Sequence, residues 1–205
     1  MNSFRRIAAI GGLSCAIAGF APAAIGAEAD SMWSHWYLGT GIGPGFGAKY
    51  KLNGKSFTFD DTLQGATDKS PLIGINVINA GIAVSPSLLV GFSGSAVGMT
   101  GKILGNNAQV QINNYLATLT WFPAEQGFFV RGGAGPSNIL INNGTTSNRT
   151  NGFGLLVGAG YALPIAKRHN ITFTVDYSRQ SYNGTSTKPD NSQFGGAYLG
   201  YMYRR

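Results

Sequence analysis

Arg131 and Asp176 are the two residues of this 205-residue chain best placed to do polar chemistry in an apolar setting. Each lies in a stretch that alternates large apolar residues with small or hydrophilic ones, on the hydrophilic side of the alternation. Enclosed charges need partners. The expected arrangement is an interior ion pair or polar network that fixes the fold, ahead of a transport or catalytic centre. Acyl-transfer chemistry would need a histidine beside a serine and an acid. The two histidines, His35 and His169, are far apart, and His169 is followed by Asn170 and Ile171 with no serine beside it. Both read as turn residues near an interface. With a single cysteine, Cys15, close to the N-terminus, there is no metal-ligand cluster and no expected cofactor. Asp60, Asp61 and Asp68 are candidate ligands for divalent cations, but solvated loop carboxylates are the commoner case. The Asn-x-Thr triplets at Asn143, Asn148, Asn170 and Asn183 are read as chance matches to a glycosylation acceptor.

The elements that must position Arg131 and Asp176 are strands. Phe153, Leu155, Val157, Ala159, Tyr161 and Leu163 alternate with Gly152, Gly154, Leu156, Gly158, Gly160 and Ala162. After a short turn, Ile171, Phe173, Val175 and Tyr177 alternate with Thr172, Thr174, Asp176 and Ser178. A period of two is a β-strand whose faces meet different surroundings. Further strands are expected at about 36–47, 72–84, 88–99, 109–122, around 128–135, and at 194–203, giving eight. In the second of these, Ile73, Ile75 and Val77 share one face while Ile78, Ile82 and Val84 share the other, which a bulge near Asn79 would reconcile.

The connections alternate short and long. Residues 85–87, 123–127 and 164–169 are short, whereas 48–70, 100–108, 139–151 and 183–192 are longer and polar. Transmembrane barrels follow that order, with tight periplasmic turns and longer outer loops. Trp36, Trp121, Phe122, Phe128, Tyr201 and Tyr203 cluster beside the short turns, where an inner aromatic girdle belongs. The fold class is therefore all-β, an eight-stranded antiparallel up-and-down transmembrane barrel. Its rival is a soluble periplasmic sandwich or lipocalin-like barrel with the faces reversed.

Composition agrees. Charged residues make up 11% and glycine 31 of 205 positions, low and high respectively for a soluble domain. The net charge of +7 is scattered, so no nucleic-acid partner is expected. Arg5 and Arg6 precede an apolar run, Ile7 to Ala24, and small residues that permit cleavage after Ala27 or Ala29. This reads as a signal peptide over 1–27 ahead of a barrel domain over 28–205. Gly12-Leu13-Ser14-Cys15 only loosely matches a lipoprotein box.

The chain resembles the small eight-stranded outer-membrane β-barrel domain family of bacterial surface barrels. The resemblance rests on Trp36-Tyr37-Leu38-Gly39, Arg131-Gly132-Gly133-Ala134-Gly135, Gly152 to Tyr161, and Gly196 to Tyr203. It implies residence in the outer membrane among lipid and lipopolysaccharide, and delivery by the barrel-assembly machinery. That machinery reads an aromatic C-terminal strand end; here Tyr201 and Tyr203 keep the alternation and Arg204 and Arg205 follow. The functional expectation is a non-enzymatic structural or surface-interaction barrel displaying four extracellular loops, with a host or surface partner met through them. The alternatives are a narrow channel for small or apolar solutes and, behind it, a lipid-modifying enzyme.

Overall fold

The computed structural model describes residues 36–124, 127–185 and 187–205. The segment read as a signal peptide, with Cys15 and His35, lies outside the described residues. Nine strands and one helical turn follow in order: β1 (Trp36–Leu52), β2 (Lys55–Thr58), α1 (Phe59–Thr62), β3 (Ile73–Ser85), β4 (Leu88–Ile103), β5 (Asn106–Trp121), β6 (Gly127–Asn142), β7 (Ser147–Ala166), β8 (His169–Tyr182) and β9 (Asn191–Arg204). Every pairing is antiparallel between neighbours, and β9 returns to pair with β1, so eight staves close into a barrel. The ninth strand, β2, folds back on the end of β1 as a hairpin beyond the wall.

What makes these segments strands, and which way they face, is clearest in β5. From Trp121 back to Tyr115 the outward residues are Trp121, Leu119, Ala117 and Tyr115, all exposed. The inward ones are Thr120, Thr118, Leu116 and Asn114, all buried. Above Asn113 the polarity inverts without a break in register. Ile112, Val110 and Ala108 now point inward and are buried, while Asn113, Gln111 and Gln109 face out. The same inversion occurs in β1, where Ile42 and Phe46 give way to Lys49 and Lys51 outside and Ala48 and Tyr50 come inside. In β8 outward Phe173, Val175 and Tyr177 give way to Arg179 and Ser181, with Tyr182 inside. The wall thus carries an apolar belt that stops at one level. Along β7 it runs from Leu163 to Phe153, about 33 Å of strand and about 25 Å of height at the usual tilt of such strands.

Two of the expected long loops are mostly strand. Residues 100–108 form the ends of β4 and β5 around a two-residue turn, Leu104-Gly105, at φ 49° and 80°. Both angles are those of a tight hairpin turn, which glycine adopts without strain. Residues 139–151 likewise continue β6 and β7, leaving 143–146 as the connection. Once a strand leaves the belt its outer face must be hydrophilic, and that polarity reads as loop. Longer connections remain at 53–72 and 183–190.

The bulge near Asn79 is present. Opposite β4, Asn76 pairs with Ser95 and Ile78 with Gly94, so Val77 is the extra residue. That extra residue lets Asn76 and Asn79, three positions apart, both line the interior.

Candidate functional site

The interior is built in three tiers, each assigned by which residues the strand register turns inward. At the end carrying the chain terminus and the short turns, Tyr37, Leu89, Phe122, Phe129, Ala162 and Met202 form a buried apolar plug. Phe122 is therefore not part of the expected inner aromatic girdle on the wall. It is 1% exposed, its ring sits 5.3 Å from that of Phe129, and the Arg204 guanidinium lies 5.5 Å over it. The reason is its parity: Trp121 is outward, so the next residue turns in. The other five girdle positions keep an outer or rim placement. Trp121 and Phe128 are half-exposed on the wall, Tyr201 is exposed, and Trp36 and Tyr203 meet with ring centroids 5.2 Å apart. His169 joins this rim, hydrogen-bonded through Nδ1 to the Tyr201 hydroxyl and edge-on to Tyr203 at 5.3 Å.

The middle tier is polar, and it brings Arg131 and Asp176 together. Arg131 Nε donates to Asp176 Oδ1 at 2.8 Å, and a second guanidinium nitrogen donates to Oδ2. The third, Nη1, donates to Asn79 Oδ1 at 3.1 Å. The side chains are 7% and 1% exposed, so the pair is fully enclosed. The register explains how it forms. Arg131 of β6 and Asp176 of β8 both pair with Gly158 of β7, so the charges close across a residue with no side chain. A Cβ at Gly158 would lie 2.0 Å from Asp176 Oδ1. The fork geometry of the guanidinium, met by a carboxylate and an amide oxygen, is the arrangement that compensates desolvation of both charges.

A second polar network in the same tier was not legible from alternation alone. Asn114 Nδ2 donates to Ser178 Oγ at 2.9 Å, and Gln180 Nε2 donates to Ser178 Oγ at 2.7 Å and Asn114 Oδ1 at 3.2 Å. Ser192 Oγ donates to Gln180 Oε1 at 2.7 Å, and the Tyr182 hydroxyl and Ser192 share a further bond of 2.7 Å. Its sequence signal was Ser178 and Gln180 continuing the inward face of β8 beyond Asp176. Between the ion pair and the turn-end plug, the cavity lined by Arg131, Asn79, Thr118, Thr174, Tyr37 and Met202 is about 30 Å³, the size for a water rather than a solute.

The third tier is again apolar. Tyr50, Val97, Val110, Ile112, Ile139, Tyr182 and Phe194 from the staves pack around Phe59 and Leu63, which the 53–72 connection inserts from above. Tyr50 and Thr62 share a 2.9 Å hydroxyl hydrogen bond. The lumen thus holds apolar side chains at both ends around a polar middle. Nearby, α1 is capped reciprocally: Asp61 N–H donates to Thr58 Oγ1 at 3.1 Å, and Thr58 N–H donates to Asp61 Oδ2 at 2.8 Å. The backbone N–H and hydroxyl of Thr58, with Lys69 beyond them, hold the Asp61 carboxyl below its ordinary 3.8. Asp60 and Asp68 are ion-paired with Lys69 and Lys102, both at 2.8 Å. Among the described residues no group of three histidine, cysteine or acidic side chains is placed to hold a metal.

No protein-family model and no curated protein matches the sequence. The structure is similar to the crystal structure of Neisserial surface protein A, with a TM-score of 0.53 at 13% identity, over 82% of this chain and 96% of that one. The attachment invasion locus protein Ail of Yersinia pestis aligns with a TM-score of 0.48 at 16% identity, over 83% and 98%. OprG of Pseudomonas aeruginosa aligns with 0.39 at 12%, over 83% and 95%. The fold is that of the small eight-stranded outer-membrane β-barrels.

Proposed function

We propose that this chain resides in the outer membrane as a sealed barrel and works through its outer wall and loop end, in a structural or surface-interaction role. The observation that carries this reading is the inversion of polarity along single strands. A soluble barrel keeps its apolar residues inside from end to end. Here Leu119, Leu155, Val157, Phe173 and Leu199 face out over one band while Thr118, Asn114, Ser178 and Asp176 face in. Exposed apolar area of that extent is stable only against hydrocarbon. Placing the short turns in the periplasm puts the 53–72 and 183–190 connections outside, and export through the N-terminal segment belongs to the same reading.

The interior supports an anchoring role over transport. With apolar plugs at both ends and a water-sized cavity between, planar bilayers containing the purified barrel should show no unitary conductance. Neither does His169, occupied by Tyr201 on the rim, support lipid hydrolysis. The test of residence is membrane fractionation together with gel migration before and after boiling. The expected result is a detergent-dependent protein whose unboiled form migrates differently from its boiled form. Recovery of folded protein in a detergent-free soluble fraction would overturn the proposal.

A further inference from the structure

Positive charge at the loop end is distributed unevenly around the barrel. On the β3 to β5 side the cations are consumed internally, Lys69 by Asp60 and Lys102 by Asp68. On the side formed by β8, β9 and β1 they are not. Arg179 of β8 and Lys49 of β1 both pair with Gln193 of β9, which places the three residues in one row. Lys51 stands one outward position further along, beside Asn191. The inward neighbours Ala48, Tyr50, Ser178, Gln180, Ser192 and Phe194 are buried, so this row faces out, and Lys49, Lys51 and Arg179 are exposed. Among the described residues none of the three forms an ion pair. Asp190 is close by, but its contact with Lys51 is a backbone one, N–H to carbonyl at 2.9 Å.

The height of this row matters more than its charge. It is the first outward row above the belt, immediately beyond Phe46 and Tyr177. Three cations on β8 and β1, on either side of β9 and directly above outward Phe46 and Tyr177, complement an amphiphile with an anionic head and hydrocarbon tails. Adjacent strands lie about 4.8 Å apart, so the flexible side chains of Lys49 and Arg179 can converge on one phosphate over Gln193. Guanidinium and ammonium groups are the usual partners of phosphate oxygens.

We propose that Lys49, Lys51 and Arg179 form a seat for the phosphate of an outer-leaflet glycolipid, whose acyl chains lie against the apolar wall directly below them, over Phe46, Tyr177 and Val175. The proposal rests on the membrane reading above, which sets this row at the level of the outer headgroups. A phosphorylated sugar lipid is favoured over a phospholipid because the loop end is the outer one and because Gln193 and Asn191 add hydrogen-bonding groups beside the cations.

The test is native mass spectrometry of the full exported chain, extracted in detergent and supplied with bis-phosphorylated lipid A, dephosphorylated lipid A or phosphatidylglycerol. The native barrel should retain one bis-phosphorylated lipid A in preference to the other two. Lys49→Gln, Lys51→Gln and Arg179→Gln together should weaken retention by roughly tenfold or more, since each cation near an anionic headgroup contributes several-fold. Lys102→Gln, which removes an ion-paired cation of the opposite side, should leave it unchanged. The boiled and unboiled gel forms report folding for every variant, and Arg179→Glu alone serves if the triple variant fails to fold. Retention by a folded triple variant or folded Arg179→Glu equal to the native would overturn the seat, as would equal retention of phosphatidylglycerol or dephosphorylated lipid A. Failure of the membrane reading itself is scored separately, by soluble recovery in the fractionation experiment.

Discussion

Asp176→Asn removes the anion facing Arg131 with almost no change in volume. The guanidinium would remain inside the barrel, 7% exposed, with Asn79 Oδ1 at 3.1 Å as its charge-neutral acceptor. Leaving one member of an enclosed pair unmatched costs about 3–5 kcal/mol, or roughly two to four decades in the unfolding constant. Replacing both members, Arg131→Met with Asp176→Leu, removes the stranded charge as well as the attraction, and should return to within about 1 kcal/mol of the native barrel. A double variant more stable than the single is the diagnostic, because it shows that the stranded charge and not lost packing carries the cost. Urea titration of the barrel refolded in lipid vesicles measures it, followed by tryptophan fluorescence and by the fraction of heat-modifiable band. Asp176→Asn within about 0.5 kcal/mol of native would refute the reasoning. So would a double variant as unstable as the single, because the site would then be acting through packing rather than charge.

Other outcomes follow from the same geometry. Gly158→Ala puts a methyl 2.0 Å from the Asp176 carboxylate and must push the pair apart, so a loss of about 1–3 kcal/mol is expected in the same titration. Phe122→Ala should cost about 3–5 kcal/mol because it empties the turn-end plug, whereas Trp121→Ala, half-exposed on the wall, should cost less; equal losses would return Phe122 to the girdle. For α1, the Asp61 carboxyl is held below 3.8, so its contribution to the cap is intact above the ordinary carboxylate range and is lost as pH falls through the lowered value. The Thr58 amide resonance should titrate with a midpoint below 3.8 and cease to titrate in Asp61→Asn; a midpoint at or above that value would contradict the cap.

The barrel was legible because the belt imposes a strict period of two, and Phe153 to Leu163 carries it undiluted. Arg131 and Asp176 were legible for the same reason, as charges on the polar face of the alternation. The upper halves of β4 to β7 were not. Above the belt, Gln109, Gln111 and Asn113 on the outside of β5 look like loop composition, and the clue lies in Ala108, Val110 and Ile112 keeping the period with opposite phase. Leu104-Gly105 was hidden by its first residue, since tight hairpin turns are ordinarily announced by Asn-Gly or Asp-Gly. The insertion of Phe59 and Leu63 into the mouth depends on the path of a long connection, which periodicity does not encode. The grouping of Lys49, Lys51 and Arg179 needs the pairing of three strands, two of them from opposite ends of the chain.

That last pairing has a consequence for how the molecule comes into being. Leu38 bonds opposite Tyr203, so the first stave finds its second neighbour only when the final one has been delivered. Until then two rows of amide and carbonyl groups lack partners, a condition hydrocarbon does not tolerate. A polypeptide truncated before Asn191 is consequently not a seven-stave version of this protein but one with no admissible inserted form. Crossing into the bilayer and fastening the seam are a single slow event, governed by the search of two distant termini for each other.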